Sequence, residues 1–502
     1  MSANLFDILS RSITDAAATA IETPAGDRIT YADLVARTGQ MANALIGLGV
    51  RPGDRVAVQV EKSPEAIILY LATVRAGAVF LPLNTAYTVA EVAYFIGDAE
   101  PALLVCDPAR AAELAAIAEQ TGARRATLDA NGRGSLPDAA ANTSPDFATV
   151  PRDADDLAAL LYTSGTTGRS KGAMLTHGNL VSNALTLRDA WRFTKADVLI
   201  HALPIFHTHG LFVATNVTLF SGASMVLLPK FDPGRVLGLM ARATVLMGVP
   251  TFYVRLLESA TLDAAATARM RLFISGSAPL LAETHREWQA RTGHAILERY
   301  GMTETNMNTS NPCDGARVAG TVGLPLPGTE VIVTDPDTGA HLPQGEIGMI
   351  EVRGANVFKG YWRMPEKTAA ELRANGFFIT GDLGRIDDKG YVHIVGRAKD
   401  LIITGGYNVY PKEVEAEIDD IDGVLESAVI GVPHKDFGEA VTAVVVPTGQ
   451  PHLTEADVTK ALEGRLARFK RPSRVVFVDA LPRNTMGKVQ KNLLRDRFAG
   501  GA

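Results

Sequence analysis

The stretch Tyr162-Thr-Ser-Gly-Thr-Thr-Gly-Arg-Ser-Lys-Gly172 places hydroxyls, glycines and two cations between two apolar runs. Gly165, Gly168 and Gly172 allow tight turns and close backbone approach to a ligand. Thr163, Ser164, Thr166, Thr167 and Ser170 offer hydroxyl donors, while Arg169 and Lys171 bring positive charge. That combination suits an oligophosphate. A polar surface hairpin would account for the glycines and hydroxyls but not for both cations at its exit. A Walker A loop is excluded, because Ser170 precedes Lys171 and an apolar run follows at once, where that loop needs Gly-Lys-Ser/Thr opening a helix.

Tyr300-Gly-Met-Thr-Glu304 offers an aromatic plane, a hydroxyl and a carboxylate. Tyr300 and Gly301 could take a nucleobase, Thr303 could donate to a phosphate and Glu304 could hold Mg²⁺, which prefers one or two carboxylates plus phosphate oxygens. A surface turn has the same spacing. Asp382 in Phe377-Phe-Ile-Thr-Gly-Asp382 could accept both hydroxyls of a ribose, and the forked donors of Arg397 in Gly396-Arg-Ala-Lys-Asp400 could clamp ribose or phosphate oxygen. Taken alone, these are an Asp in a turn and an Arg in a strand connection. In Pro204-Ile-Phe-His-Thr-His-Gly210 two histidines two apart are half a metal site without a third ligand, or buried hydrogen-bonded side chains. Lys488 follows Gly487 near the C-terminus and reads by itself as a solvated lysine.

The elements that must carry these groups are α/β. Between residues 29 and 110 strand and helix signals alternate, which indicates stacked parallel βαβ units. Residues 130–155, rich in Asn, Gly, Ser, Pro and Asp, are predicted to be a loop or linker. Leu272-Phe-Ile-Ser-Gly-Ser-Ala-Pro279 and Val245-Leu-Met-Gly-Val-Pro250 are buried strands ending in small residues, and residues 295–305 run from a strand into a polar loop. Ligands gather at strand carboxyl ends in such sheets, where these motifs recur. At 502 residues two or more domains are expected. The net charge of −6 argues against a nucleic-acid partner. Two cysteines make a disulfide framework improbable and fit a cytoplasmic location. The N-terminus lacks a signal-peptide pattern, and the longest apolar stretch is broken by Arg75 and Pro82, so no membrane partner is expected.

The motifs, in order along essentially the whole chain, resemble the superfamily of acyl-CoA synthetases, non-ribosomal peptide synthetase adenylation domains and firefly luciferase. Members commonly have Pro where this chain has Ser170. The resemblance implies a large N-terminal domain of stacked βαβ sheets, residues 1–398, with the ATP and acid sites, and a small mobile α+β C-terminal domain, residues 399–502. Lys399 takes the hinge position, His207 matches an aromatic gate beside the acyl tunnel, and Lys488 is brought between the attacking carboxylate and the α-phosphate. ATP and CoA are implied as co-substrates, with Mg²⁺ on Glu304. A carboxylate is a poor acyl donor, whereas an acyl-adenylate loses AMP readily to a thiolate; positioning and charge neutralisation are most of that catalysis. Lys488 is also open to a lysine acetyltransferase and deacetylase, since acetylation would remove its charge.

The acid is read from Arg255, one turn after a strand in Thr251-Phe-Tyr-Val-Arg255, which could pair bidentately with a second carboxylate, helped by the Ser277 hydroxyl. A surface salt bridge with Glu258 is the plainer role, and Arg286 is a weaker candidate. Thr208 and Met307 are expected to sense substituents on the acid's central carbon, and Met302 is counted with the substrate-binding residues. These stretches look like those of malonyl-CoA synthetases, so malonate, with methylmalonate, is the expected acid. Another short acid, a carrier protein loaded in trans, or a non-catalytic nucleotide sensor remain alternatives. The sensor fits poorly because Lys488 and Glu304 are both present, and the early end after Lys488 favours free CoA.

Overall fold

Apolar runs of four to seven residues set the architecture. In the computed structural model, residues 2–163, 170–404, 407–434, 437–449, 453–484 and 487–499 are described. A six-stranded sheet runs in the order Arg124–Thr127, Leu103–Cys106, Arg55–Gln59, Val79–Pro82, β1 (Leu157–Thr163) and β2 (Lys171–Thr176). Its first five strands are parallel, and β1 and β2 form an antiparallel hairpin with Tyr162 opposite Gly172. The two apolar runs that flank the phosphate-type loop are therefore these strands. Thr176 ends β2 and caps helix α1 (His177–Ala190): its hydroxyl accepts from the Asn179 N–H, and the Asn179 side chain accepts in return from Thr176.

A nine-stranded sheet places β3 (Val198–His201), β4 (Val245–Gly248), β5 (Leu272–Ser275) and β6 (Leu297–Met302) side by side and parallel. Leu199 and Ile200 are both fully buried, on opposite faces of β3, so helices cover the sheet on both sides. Each such side chain is worth roughly 1.5–3 kcal/mol of burial. Helix α2 (Pro250–Leu257) follows β4, with Pro250 at its first turn, and α3 (Ala282–Thr292) follows β5. After β6 the chain turns back as β7 (Asn306–Ser310), antiparallel to β6. The sequence of β7 is polar apart from Met307, yet all five residues are buried. Asn183 and Asn356 explain this by bonding the Met307 carbonyl, the first at 3.0 Å and the second at 3.3 Å.

A four-stranded antiparallel sheet contains Thr329–Thr334, Gly348–Gly354, β8 (Phe378–Ile386) and β9 (Val392–Arg397). Beyond it, Ile402–Thr404 begins a separate sheet built on the long hairpin Val424–His434 and Gly438–Pro447, with helix α4 (Pro411–Asp419) packed on it. Ile402, Val414, Ile418, Val429, Ala443 and Val444 are fully buried there, and this core shares no residue with the cores of the larger part. The expected linker at residues 130–155 is corrected in one respect: Ser135–Ala141 is a helix, because Leu136 and Ala140 bury one face. Among the described residues no helix is long and apolar enough to cross a membrane.

Candidate active site

Parallel order puts the loops after β3, β5 and β6 along one edge of the nine-stranded sheet, and the register of β8 and β9 pairs Asp382 with Arg397 opposite them. The Arg397 Nε lies 2.7 Å from Asp382 Oδ1, and the Tyr300 hydroxyl donates to Oδ2 at 2.5 Å. Asp382 is buried, and its charge is the main reason that Arg397 is held above its ordinary range. Burial, then Asp382, pushes the Tyr300 phenol well above its own. Three residues singled out by motif thus form one rigid group, with Gly301 directly following.

Glu304, on the turn between β6 and β7, is buried and takes its one described side-chain hydrogen bond from the Tyr361 hydroxyl, 3.1 Å from Oε1. That hydroxyl also lies 2.7 Å from Glu371 Oε2. Lys171 reaches the same Glu371 oxygen at 3.3 Å and sits 4.1 Å above the Tyr361 ring. Burial raises the Glu304 carboxyl, while Tyr361, Lys171 and Arg397 act against the rise. Thr163 donates to the Lys171 carbonyl at 3.4 Å, and Thr303 is half-buried beside Glu304. Ser164, Gly165, Thr166, Thr167, Gly168 and Arg169 lie outside the described residues.

The small domain enters this cleft. A Cβ on Gly487 would meet the Thr251 side chain at 3.4 Å, so the loop bearing Lys488 rests on the start of α2. Lys488 keeps solvent contact. Enclosure by the cleft, then Arg397, pulls its ammonium below the ordinary lysine range, while Asp382 and Glu304 act the other way. His207 is pushed down to about 3 by burial, then by Lys488 and Arg299, and is therefore a neutral imidazole. Lys399 is exposed on a short turn, Ala398–Asp400, between β9 and the small domain's sheet.

The acid end requires a correction. Arg255 is exposed, because Tyr253 and Leu256 turn the buried face of α2 inward and carry Arg255 to the outside. Arg286 is exposed too. The buried cation is Arg299, adjacent to Tyr300 on β6 and on the opposite face of the strand. Its Nε and Nη2 have no hydrogen-bond partner among the described residues. Burial pulls it down to about 9, which leaves it charged at neutral pH. Around it the Ser277 Oγ lies 3.2 Å from His209 Nδ1, and Thr208 Oγ1, His209 Nε2 and Ser275 Oγ are buried without partners among the described residues. Ser277 adopts φ 72°, the left-handed region, which fixes the loop after β5 in an uncommon shape. Met307 is buried, Met302 is half-buried, and the Met307 methyl closes over Gly301.

Sequence reasoning missed Arg299, Tyr361 and Glu371, while His209 is one of the buried, hydrogen-bonded histidines it allowed for. For Arg299 the available signal was its place in a strand one residue before Tyr300. No group of three or more His, Cys, Asp or Glu suited to a metal occurs among the described residues.

This geometry has close counterparts. The structure of ATP-bound MatB from Rhodopseudomonas palustris is 68% identical, covers 99% of both chains and superposes with a TM-score of 0.98. A feruloyl-CoA synthase of Amycolatopsis sp is 40% identical over 478 residues, 94% of each chain. A malonate–CoA ligase of Arabidopsis thaliana is 35% identical over 493 residues, 91% of this chain and 80% of that one. The profile of the AMP-binding enzymes matches residues 12–362 and that of the AMP-binding enzyme C-terminal domain matches residues 413–488. The first match covers more than half of the chain, and the chain belongs to the family of AMP-binding, adenylate-forming enzymes.

Proposed function

We propose that this protein is an ATP-dependent malonyl-CoA synthetase acting in the cytoplasm. One malonate carboxylate attacks the α-phosphorus of ATP, the bond to the β-phosphate breaks, and malonyl-adenylate and pyrophosphate result. The CoA thiol then loses its proton and attacks the acyl carbon, and AMP leaves. Tyr300, Asp382 and Arg397 hold the nucleoside end, and Lys171 with the loop before it takes the outer phosphates. Lys488 brings a positive charge to where carboxylate and α-phosphate meet, a place already crowded with negative charge. His207, neutral, can flank the reacting carboxylate without adding a competing cation.

Glu304 suits Mg²⁺: it is a buried carboxylate with one described side-chain hydrogen bond, which leaves lone pairs for a hard cation. Held by Glu304 and phosphate oxygens, the ion would neutralise phosphate charge. Cys106 and Cys313 are free thiols, which suits a reducing compartment.

The observation that carries malonate is Arg299. A buried guanidinium with no carboxylate partner among the described residues is costly, and a dianionic acid supplies the missing charge. Ferulate and propionate, with one carboxylate each, would leave it unpaired once that carboxylate faces ATP. The relatives' names point both ways, to ferulate and to malonate. Arg299 favours malonate. The test is kcat/KM for CoA-thioester formation with malonate, methylmalonate, propionate and ferulate. Malonate is expected to exceed propionate by on the order of a hundredfold, the worth of a desolvated charge pair. Equal use of propionate or ferulate would refute the assignment.

A further inference from the structure

Lys62 lies on the loop between strand Arg55–Gln59 and helix Pro64–Arg75, next to Ser63, which caps that helix. It is 8% exposed and pairs with no carboxylate among the described residues. Its Nζ instead lies 2.9 Å from His201 Nδ1, 2.8 Å from the His201 carbonyl and 2.8 Å from the Leu203 carbonyl. An ammonium has three hydrogens, and each finds one acceptor. His201 ends β3 in the other large sheet, so this one amine ties the two sheets together.

The tie continues through the ring. With Nδ1 accepting from Lys62, the His201 proton sits on Nε2, which faces the Gly210 carbonyl at 2.9 Å and Thr215 Oγ1 at 3.1 Å. Thr215 also donates to the Gly210 carbonyl at 2.9 Å. Gly210 packs tightly on the loop's start, because a Cβ there would fall 2.0 Å from the Pro204 carbonyl oxygen. Lys62 thereby fixes the beginning of the loop at residues 201 and 203 and, through His201, its end at residue 210. Between these ends stand His207, Thr208 and His209.

We propose that Lys62 is a positioning residue for the acid site: acting through His201, it holds the loop that presents His207, Thr208 and His209 beside Arg299. An apolar side chain would fill the same space without joining three acceptors. A buried ammonium is retained here at the cost of desolvation, which pulls it well below its ordinary range. The nucleotide end, on β6, β8 and β9, takes none of these hydrogen bonds.

The inference rests on the acyl-CoA synthetase reading for its assay. Lys62→Met keeps the length and removes the donors. Adenylate formation by the full-length variant should show KM for the acid raised about tenfold or more, with KM for ATP changed by less than about twofold. His201→Phe should do the same, and the double variant should be no worse than the poorer single one, since both remove one connection. His201→Gln, which restores a donor toward Gly210, should recover part of the loss. Where Lys62→Met does not fold, as judged by circular dichroism and ATP binding, the His201 pair decides. Equal losses for ATP and acid, multiplicative losses in the double variant, or no difference between Phe and Gln at residue 201 would each overturn the proposal. If wild type turned over another acid but not malonate, the malonate assignment alone would fail, and the same ratios would be read with that acid.

Discussion

The guanidinium of Arg299 occupies the space that a side chain on Gly276 would need: a Cβ there would lie 2.5 Å from Cζ and 2.6 Å from Nε. The glycine after β5 is thus the floor on which this buried cation lies. The close approach involves the far end of a flexible side chain, which can move where backbone could not. Gly276→Ala should therefore fold with a melting temperature near that of wild type while displacing the guanidinium. Malonate kcat/KM should fall about tenfold or more, and propionate kcat/KM far less. Arg299→Ala should lose on the order of a hundredfold on malonate, the effect expected of a buried charge pair. Parallel losses on both acids in both variants would mean that Arg299 supports the fold and that selectivity lies elsewhere.

Lys488 approaches from the small domain, and in the proposed reaction its charge is needed where carboxylate meets α-phosphate. Lys488→Ala should abolish adenylate formation and spare thioester formation from supplied malonyl-adenylate and CoA, because the second step has no such crowding of charge. The two half-reactions are measured separately, by pyrophosphate exchange and by thioester release. Equal loss in both would rule out a role confined to the first step.

Glu304→Gln keeps the Tyr361 hydrogen bond and removes the charge. Rate against Mg²⁺ concentration should shift to higher metal in the variant, with a melting curve close to wild type. An unchanged metal dependence would place the ion elsewhere.

Much of this site was legible because local sequence decides local structure. Small residues at the ends of apolar runs become loops at strand ends, and Asp382 and Arg397 fall opposite each other because their strands are consecutive. Arg255 misled for a geometric reason: its position one turn after a strand suggested the site, but which face of α2 is inward depends on Tyr253 and Leu256 packing into the core. Arg299 was hidden because its neighbours Tyr300 and Glu304 account for the motif, and only the sheet reveals that the alternate face of β6 meets Gly276. The strand Asn306–Ser310 is polar in sequence, and the groups that meet its Met307 carbonyl, Asn183 and Asn356, are distant in sequence.

The carboxyl of Glu298, next to Arg299 on β6, gives a prediction about stability. It is buried, Oε1 accepts from the Leu280 N–H at 3.2 Å, and Oε2 has no partner among the described residues. Burial pushes it up to about 8, from an ordinary 4.5, against the opposing pull of Leu280 and Lys412. A carboxyl raised in the folded state leaves folding unpenalised below 4.5, where folded and unfolded forms are both protonated. Above 4.5 the unfolded chain loses the proton and the folded protein keeps it, so stability falls until the folded carboxyl also ionises near pH 8. Glu298→Gln, similar in shape and unable to ionise, removes that loss. Melting temperatures of the variant and wild type should converge near pH 4 and diverge by several degrees toward about pH 8, the variant being higher, as expected for a difference of a few kcal/mol. A gap that stays constant across that range would show that Glu298 does not hold its proton in the folded protein, and that the loop after β5 is fixed by some other means.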